Sequence, residues 1–237
     1  MAENRTLESL AVVSRYAAGE SVYRRNDPTQ YWYRVIGGAA RKSVLSADGR
    51  RHIVDFILPG DFFGFALSQA PRFCVEAIFP TNLIARYPRL EAERLADSNP
   101  QIGRRIRELA FESIARMERR MVILGRFRAL EKVSAFLLEM ADRNPLLPGS
   151  TVSLPMSRYD IADYLGLAVE TVSRALTELR DRHVILFRGV RQVRLCDRAA
   201  LEGLAERLSQ LGPARPHCTA RARSDRERGQ IDSCQGP

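Results

Sequence analysis

The chain has 237 residues, 45% of them hydrophobic and 27% charged, and a formal net charge of +9. This is enough apolar material for two modest hydrophobic cores, and the charge favours a polyanionic partner, either nucleic acid or, less often, an anionic membrane. No apolar run reaches the roughly 18 residues that a membrane-spanning helix needs, so no transmembrane helix is expected, and we do not predict a membrane among the partners. The first residues, MAENRTLESLAVV, do not have the pattern of a signal peptide.

The cysteine spacing indicates a cytoplasmic protein, and the absence of catalytic motifs indicates that it is not an enzyme. Cys74, Cys196, Cys218 and Cys234 are scattered without a C-x-x-C pair, which suits a reducing cytoplasm better than a disulfide framework. The sequence has no Gly-rich phosphate loop, no zinc-ligand spacing and no G-x-S-x-G motif. We therefore predict no catalytic residues, no metal ligands and no cofactor.

Residues 16–87 have the pattern of a β-domain. Short apolar or alternating runs predict strands at Ser21–Tyr23, Tyr31–Ile36, Arg41–Leu45, His52–Ile57, Val75–Ile78 and Leu83–Tyr87. Glycine, proline, asparagine and aspartate separate these runs, as in Asp48-Gly49 and Pro59-Gly60-Asp61. Many short strands at this spacing favour a β-sandwich or jelly roll.

A long helix is predicted next, with Pro100 in its first turn. It carries an apolar seam with coiled-coil spacing at Ala110, Ile114, Met117, Met121 and Leu124, in register with Arg107. Ile102, Ile106 and Leu109 form a second stripe that we expect to pack on the β-domain. Two stripes favour a helix shared between its own domain and a partner helix, although one wide core face would give a similar pattern.

The segment from Leu154 to Arg180 predicts two helices around a tight turn. Ser157 and Asp160 form a capping-box pattern before the first helix, and Gly166 permits the positive φ of a sharp exit. A second helix is expected to begin near Ala168, with Val172, Leu176 and Leu179 on its buried face. By pattern alone the pair is either a packing unit or a helix-turn-helix that reads the DNA major groove.

The flanking segments fit the second interpretation. Residues 125–128 predict a hinge, 129–140 a helix, 144–149 a loop and Thr151–Leu154 a strand. Two further strands around Gly189, at Val184–Arg188 and Gln192–Leu195, predict a wing whose Arg188, Arg191 and Arg194 are candidates for phosphate contact. A short helix over Ala199–Leu208 precedes a polar, basic tail that is expected to be disordered.

This arrangement resembles the CRP/FNR superfamily of bacterial transcription regulators. The matching motifs are Asp48-Gly49-Arg50-Arg51 and the segment Pro59 to Gly64 in the β-domain, and Tyr164 to Leu167 and Glu170 to Arg174 in the helix pair. The string ETVSR is most similar to the FNR and FixK-type branches. The resemblance implies an α+β fold with a β-roll (a jelly roll of the cyclic-nucleotide-binding kind) at 1–98, a dimerisation helix at 99–125, a winged helix-turn-helix domain at 126–211 and a tail at 212–237.

The resemblance also implies roles for individual residues on double-stranded DNA. Arg174 would bind guanine, Glu170 would accept from a cytosine or adenine amino group, and Ser173 and Val169 would contact thymine. Ser157, Arg158 and Thr171 would contact phosphates and position the protein. The expected site is a TTGAT-N4-ATCAA-like palindrome, bound by a homodimer that works with RNA polymerase as an activator of genes for low-oxygen or nitrogen-oxide metabolism.

Three kinds of sensing in the superfamily leave different signatures. Cyclic nucleotides need a glutamate and an arginine followed by a hydroxyl residue, but Phe65 replaces the glutamate and Phe73 follows Arg72. The cysteine run of an iron–sulfur cluster is missing before Tyr16. A haem-dependent nitric-oxide sensor and a cyclic-nucleotide-responsive regulator are the alternatives to a regulator without a ligand, and His52, the residue considered for haem, fits a sheet surface better.

Overall fold

The β-roll is built from two four-stranded antiparallel sheets. The computed structural model describes residues 6–28, 30–65, 71–126, 128–143 and 150–205. A short 3-10 helix, Leu7–Leu10, comes before the strands. The strands are β1 (Val12–Tyr16), β2 (Ser21–Tyr23), β3 (Tyr31–Gly37), β4 (Ala40–Leu45), β5 (Arg51–Ile57), β6 (Phe62–Phe63), β7 (Cys74–Ala77) and β8 (Asn82–Pro88). Their order is β1-β8-β3-β6 in one sheet and β2-β7-β4-β5 in the other.

Buried side chains at alternating strand positions form the core between the two sheets. β3 and β8 of the first sheet contribute Val35 and Ile84, and β4, β5 and β7 of the second contribute Ala40, Ile57 and Val75. Side chains on a strand alternate between its two faces, so each sheet presents one apolar side to the other. The jelly-roll prediction is confirmed, and all six predicted strands are present.

Two strands were not predicted from the sequence. β1 pairs with β8, and β6 pairs with β3 through two residues. Val12 and Val13 on β1 are both exposed, so this edge strand lacks an alternating apolar pattern. A two-residue strand such as β6 is too short to show an alternating pattern in the sequence.

Two helices follow the roll. α1 spans Arg89–Ser98 and α2 spans Pro100–Arg126, which confirms the long helix and its start at Pro100. The Asn99 side chain accepts a hydrogen bond from the Gln101 amide at 3.0 Å and so caps α2. Ile106 packs on the outer face of the roll against a cluster that contains Trp32 and Tyr87, and Leu109 is buried. The second apolar stripe therefore packs as predicted.

The C-terminal region is a winged helix-turn-helix. Its elements are α3 (Ala129–Arg143), β9 (Thr151–Ser153), α4 (Arg158–Leu165), α5 (Val169–Asp181), β10 (Ile185–Phe187), β11 (Gln192–Leu195) and α6 (Arg198–Ala205). The three strands form an antiparallel sheet in the order β10-β11-β9. The predicted loop at 144–149, Phe127 of the hinge, the end of the last helix and the tail lie outside the described residues.

One buried cluster joins the β-roll to the C-terminal region. Phe56 of β5 packs against Phe136 of α3 and Tyr164 of α4, with ring centres 6.2 and 5.0 Å away. Ile53 and Leu58 belong to the same cluster as the core of the winged helix. The two regions therefore share apolar packing, although the sequence predicted a separate core for each. No helix in the described part of the chain is long and apolar enough to cross a membrane.

Candidate DNA-binding surface

The first helix of the pair begins with the predicted capping box. The Asp160 amide donates to Ser157 Oγ at 3.1 Å, and the Ser157 amide donates to Asp160 Oδ2 at 3.1 Å. These reciprocal bonds satisfy amides that the first turn of a helix leaves without a partner. At the other end Gly166 adopts a left-handed conformation with φ 63°, which turns the chain sharply into α5.

The second helix, α5, has one buried and one open face. Val172, Ala175, Leu176 and Leu179 are buried against the core of the winged helix. Glu170 and Arg174 are exposed, and Val169 and Ser173 are half-buried. All four residues predicted to contact bases therefore lie in the first two turns of α5. The N-cap residue is Ala168, which has no side-chain acceptor, so the positive end of the helix dipole is not capped by its own side chain.

The residues predicted to contact phosphates flank this face. Ser157 and Arg158 are exposed at the start of α4, and Thr171 is half-buried at the start of α5. The Arg158 guanidinium lies 5.3 Å from the ring centre of Phe187 on β10, so the wing supports this side chain. The structure thus brings the start of both helices and one strand of the wing to a common edge.

The wing consists of the two predicted strands, β10 and β11, and an exposed tip. Its tip contains Gly189, with φ 92°, and the fully exposed Val190. Arg188 and Arg194 are exposed. The Arg191 guanidinium lies 5.5 Å from the ring centre of Phe79 in the β-roll. Arg191 is exposed as well, so it stays a candidate for phosphate contact at the side of the wing that faces the roll.

The predicted seam of α2 is largely uncovered in the single chain. Ile114, Met117, Met121 and Leu124 are exposed by 45%, 43%, 71% and 36%, and Ala110 is half-buried. Phe111 and Val122, which were not assigned to the seam, are also exposed. Large exposed apolar side chains concentrated on one helix are typical of an interaction surface.

The β-roll residues do not fit a cyclic nucleotide. Phe65 packs on Trp32 with ring centres 5.1 Å apart, and Phe73 lies under the Lys42 ammonium at 4.5 Å. Arg72 is exposed. Positions that would need to hold a ribose and a phosphate therefore carry aromatic packing, and Phe73 follows Arg72 where the family has a hydroxyl residue. His52 is exposed on β5, as expected of a sheet residue.

The interior of the roll is occupied by further aromatic rings. Tyr33 and Phe63 stack with ring centres 5.2 Å apart, and Tyr23 lies 5.5 Å from Tyr33. Burial raises the pKa of Tyr23 and raises that of Tyr33 to about 12, so both stay neutral at physiological pH. These residues fill the space between the sheets with apolar surface.

The sequence did not reveal one part of the helix-turn-helix. The side of α4 that carries Asp160 and Asp163 faces the β-roll, where both carboxylates bind arginines. Asp160 was predicted only as a capping residue, and no short-range pattern marks Asp163. The binding partners lie more than a hundred positions earlier in the chain, so no local signal could have identified this contact.

A capped first helix, an open polar face on the second helix and a wing together define a DNA-binding module, here joined to a β-roll and a long helix. Two family models agree with this division: a Crp-like helix-turn-helix domain matches residues 131–204, and a cyclic nucleotide-binding domain matches residues 13–79. The second match describes the fold of the roll, whose site residues differ as described above.

Relatives identify the family. The nitrogen fixation regulation protein FixK of Bradyrhizobium diazoefficiens is 43% identical over 208 residues, which cover 86% of each chain. FixK of Rhizobium meliloti is 38% identical over 193 residues, covering 81% of this chain and 87% of that protein. The structure of FixK2 from Bradyrhizobium japonicum superposes with a TM-score of 0.77 at 39% identity, covering 82% of this chain and 96% of that chain.

The chain therefore belongs to the CRP/FNR family of transcription regulators, in its FixK-type branch. It is a DNA-binding regulator and not an enzyme.

Proposed function

We propose that this protein is a homodimeric transcription activator that binds a TTGAT-N4-ATCAA-like palindrome. The observation that carries the proposal is the open face of α5, where Glu170 and Arg174 are exposed and Ser173 lies between them and the buried stripe. The major groove of DNA admits a helix whose first turns carry polar side chains, and each base pair presents there a distinct pattern of donors and acceptors.

The chemistry of these side chains favours a particular half-site. Arg174 can donate two hydrogen bonds to O6 and N7 of guanine, and Glu170 can accept from an amino group of cytosine or adenine. Val169, half-buried at the first position of α5, has no donor for guanine but offers a methyl group to thymine. We therefore assign Arg174 to the guanine of TTGAT, and Ser173 and Val169 to its thymines.

Other residues position the protein without selecting a sequence. Ser157, Arg158 and Thr171 lie at the starts of α4 and α5, where amide groups and the helix dipole also favour a phosphate. Arg158 is exposed and rests on Phe187, so its charge is available to the DNA backbone. The net charge of +9 adds a general attraction to DNA.

Dimerisation through α2 would supply a second copy of α5, the helix that we propose contacts the bases and call the reading helix. The exposed seam of Ile114, Met117, Met121 and Leu124 has the spacing of a parallel coiled coil and is continued by Ala110. A two-fold dimer places its reading helices about one turn of DNA apart, which requires an inverted repeat in the operator. The interrupted palindrome follows from that symmetry.

The biological role is inferred from the relatives. Proteins similar to this one are described as nitrogen fixation regulation proteins, and two others as the transcriptional activatory protein AadR of Rhodopseudomonas palustris and the transcriptional activator FnrL of Cereibacter sphaeroides. We infer an activator that works with RNA polymerase in the cytoplasm and controls genes of low-oxygen or nitrogen-oxide metabolism.

The test compares two labelled duplexes of equal length and composition, one with the palindrome and one scrambled. Arg174→Ala should cost about 1–3 kcal/mol per half-site on the palindrome and little on the scrambled duplex. Arg158→Ala should weaken both alike and reduce the salt slope by about 1. Arg182 is exposed at the C-terminal end of α5. Arg182→Ala therefore serves as the control that removes one positive charge away from the proposed base contacts. Undiminished discrimination by Arg174→Ala would refute the assignment.

A further inference from the structure

Four charged side chains join the β-roll to the first helix of the helix-turn-helix. Arg51 of β5 donates from Nη2 to Asp160 Oδ1 and to Asp163 Oδ2, both at 2.8 Å, and from Nε to Asp163 Oδ2 at 3.0 Å. Arg41 of β4 donates from Nη1 to Asp160 Oδ1 at 2.9 Å. We call Arg41, Arg51, Asp160 and Asp163 the interdomain clamp.

The clamp is partly shielded from solvent, with Asp163 the most exposed of its side chains at 33%, and a further ion pair supports it. The Asp160 side chain is 5% exposed, and those of Arg41 and Arg51 are 20% and 29% exposed. Glu76 of β7 binds Arg41 at 2.9 Å and holds it toward Asp160. Charge-assisted bonds in which one guanidinium bridges two carboxylates fix orientation better than a single exposed ion pair does.

Asp160 gives the clamp a direct link to the helix that it holds. Its Oδ1 accepts from both arginines, while its Oδ2 accepts from the Ser157 amide and hydroxyl. The carboxylate that caps α4 is therefore the same group that binds the roll. A large rotation of α4 relative to β4 and β5 would separate Asp160 from Arg41 and Arg51.

The docked arrangement leaves the reading face open. Glu170 and Arg174 on α5, and Arg158 at the start of α4, are exposed while Asp160 is buried against the roll. The contact therefore does not cover the residues that meet DNA, as an autoinhibitory contact would.

We propose that the interdomain clamp is a positioning device that holds the helix-turn-helix in its DNA-binding orientation and thereby raises DNA affinity. A protein that samples the binding orientation only part of the time binds more weakly in proportion to that fraction. The arginines and aspartates act through the placement of α4 and α5, without touching DNA. The proposal rests on the DNA-binding function of α4 and α5. It does not depend on the proposed half-site, because the placement of these helices affects binding to any duplex.

The experiment is a double-mutant cycle in the full-length protein with Arg51→Gln, Asp163→Asn and the double variant. The exposed pair Arg50 and Asp48 lies within the roll, with side chains 81% and 47% exposed, and supplies a control cycle with the same charge changes. Affinity is measured on the palindromic and the scrambled duplex. Hydrogen exchange of the α4 peptide is measured without DNA.

We expect Arg51→Gln to bind both duplexes roughly three- to tenfold more weakly than Arg50→Gln does. Asp163→Asn should weaken binding less, or not at all, once Arg51 is replaced, so the cycle should show coupling that the control cycle lacks. Exchange in α4 should be faster in Arg51→Gln than in Arg50→Gln. Tighter binding by Arg51→Gln would show that the contact is inhibitory, and affinities equal to those of the control would show that it has no positioning role. Either result overturns the proposal.

Discussion

The guanidinium of Arg120 lies 4.3 Å from the ring centre of Tyr164 and donates a hydrogen bond to the Tyr164 carbonyl at 2.9 Å. The same side chain, on α2, donates to the carbonyls of Ile53 and Val54 on β5. The Tyr164 hydroxyl in turn donates to Glu139 of α3 at 3.2 Å. One arginine thus connects the long helix, the roll and the first helix of the helix-turn-helix.

Arg120→Met should lower the free energy of unfolding by about 1–3 kcal/mol, because it removes a charged donor from three partly buried carbonyl groups. Methionine keeps an unbranched side chain and so limits the change in packing. The measurement is urea denaturation at a fixed protein concentration, since the proposed dimerisation would make stability depend on concentration. Arg119→Met, at the exposed neighbouring position, is the control and should change stability by no more than about 0.5 kcal/mol. Equal losses in the two variants would contradict the bridging role.

If α2 forms the proposed dimer interface, Met121→Glu should leave the protein monomeric. Its side chain is 71% exposed in the single chain and belongs to the predicted seam, where a carboxylate would meet its symmetry mate in an apolar interface. Light scattering coupled to size-exclusion chromatography gives the mass directly. Val122→Glu adds the same charge one position away, outside the seam, and should remain a dimer. A dimeric Met121→Glu would exclude the predicted interface.

Gly38→Ala should lower the free energy of unfolding more than Gly49→Ala does. Both glycines have positive φ, +86° and +81°, so both substitutions carry a backbone strain of about 1–2 kcal/mol. At Gly38 the new Cβ would lie 2.4 Å from Asn82 Oδ1, whereas at Gly49 it meets no heavy atom within 4 Å. Asn82 is fully buried, and its Oδ1 accepts from the Ala39 amide at 2.9 Å, so it has little freedom to move.

The collision should add about 1–3 kcal/mol to the cost of Gly38→Ala. Thermal or urea denaturation of the two variants beside the parent protein measures the difference. Similar stabilities would mean that the turn at Gly38 can relax away from Asn82.

Local features of this fold were predictable because their physical cause lies within a few residues. Ser157 and Asp160 are three positions apart and form the capping box, and Gly166 supplies the left-handed residue that ends α4. The buried stripe of α5 follows from helical periodicity. The open face that carries Glu170 and Arg174 is the complement of that stripe.

Long-range contacts were not predictable in this way. Arg51 and Asp160 are 109 positions apart, and Arg120 and Ile53 are 67 apart. The sequence does not indicate which distant group an arginine will contact, and no local pattern places Arg191 of the wing near Phe79 of the roll. The shared core was missed for the same reason, since Phe56 looks like any other apolar strand residue.

The shared packing around Phe56 limits how this regulator can be recombined. Phe136 and Tyr164 bury their rings against a residue of β5, and the carboxylate of Asp160 finds its cations on β4 and β5. A chimaera that grafts residues 129–205 onto an unrelated β-roll would expose those rings and leave an acidic group without its counter-charges. To keep the winged helix packed as it is here, such a hybrid would also have to contain β4 and β5 of this protein.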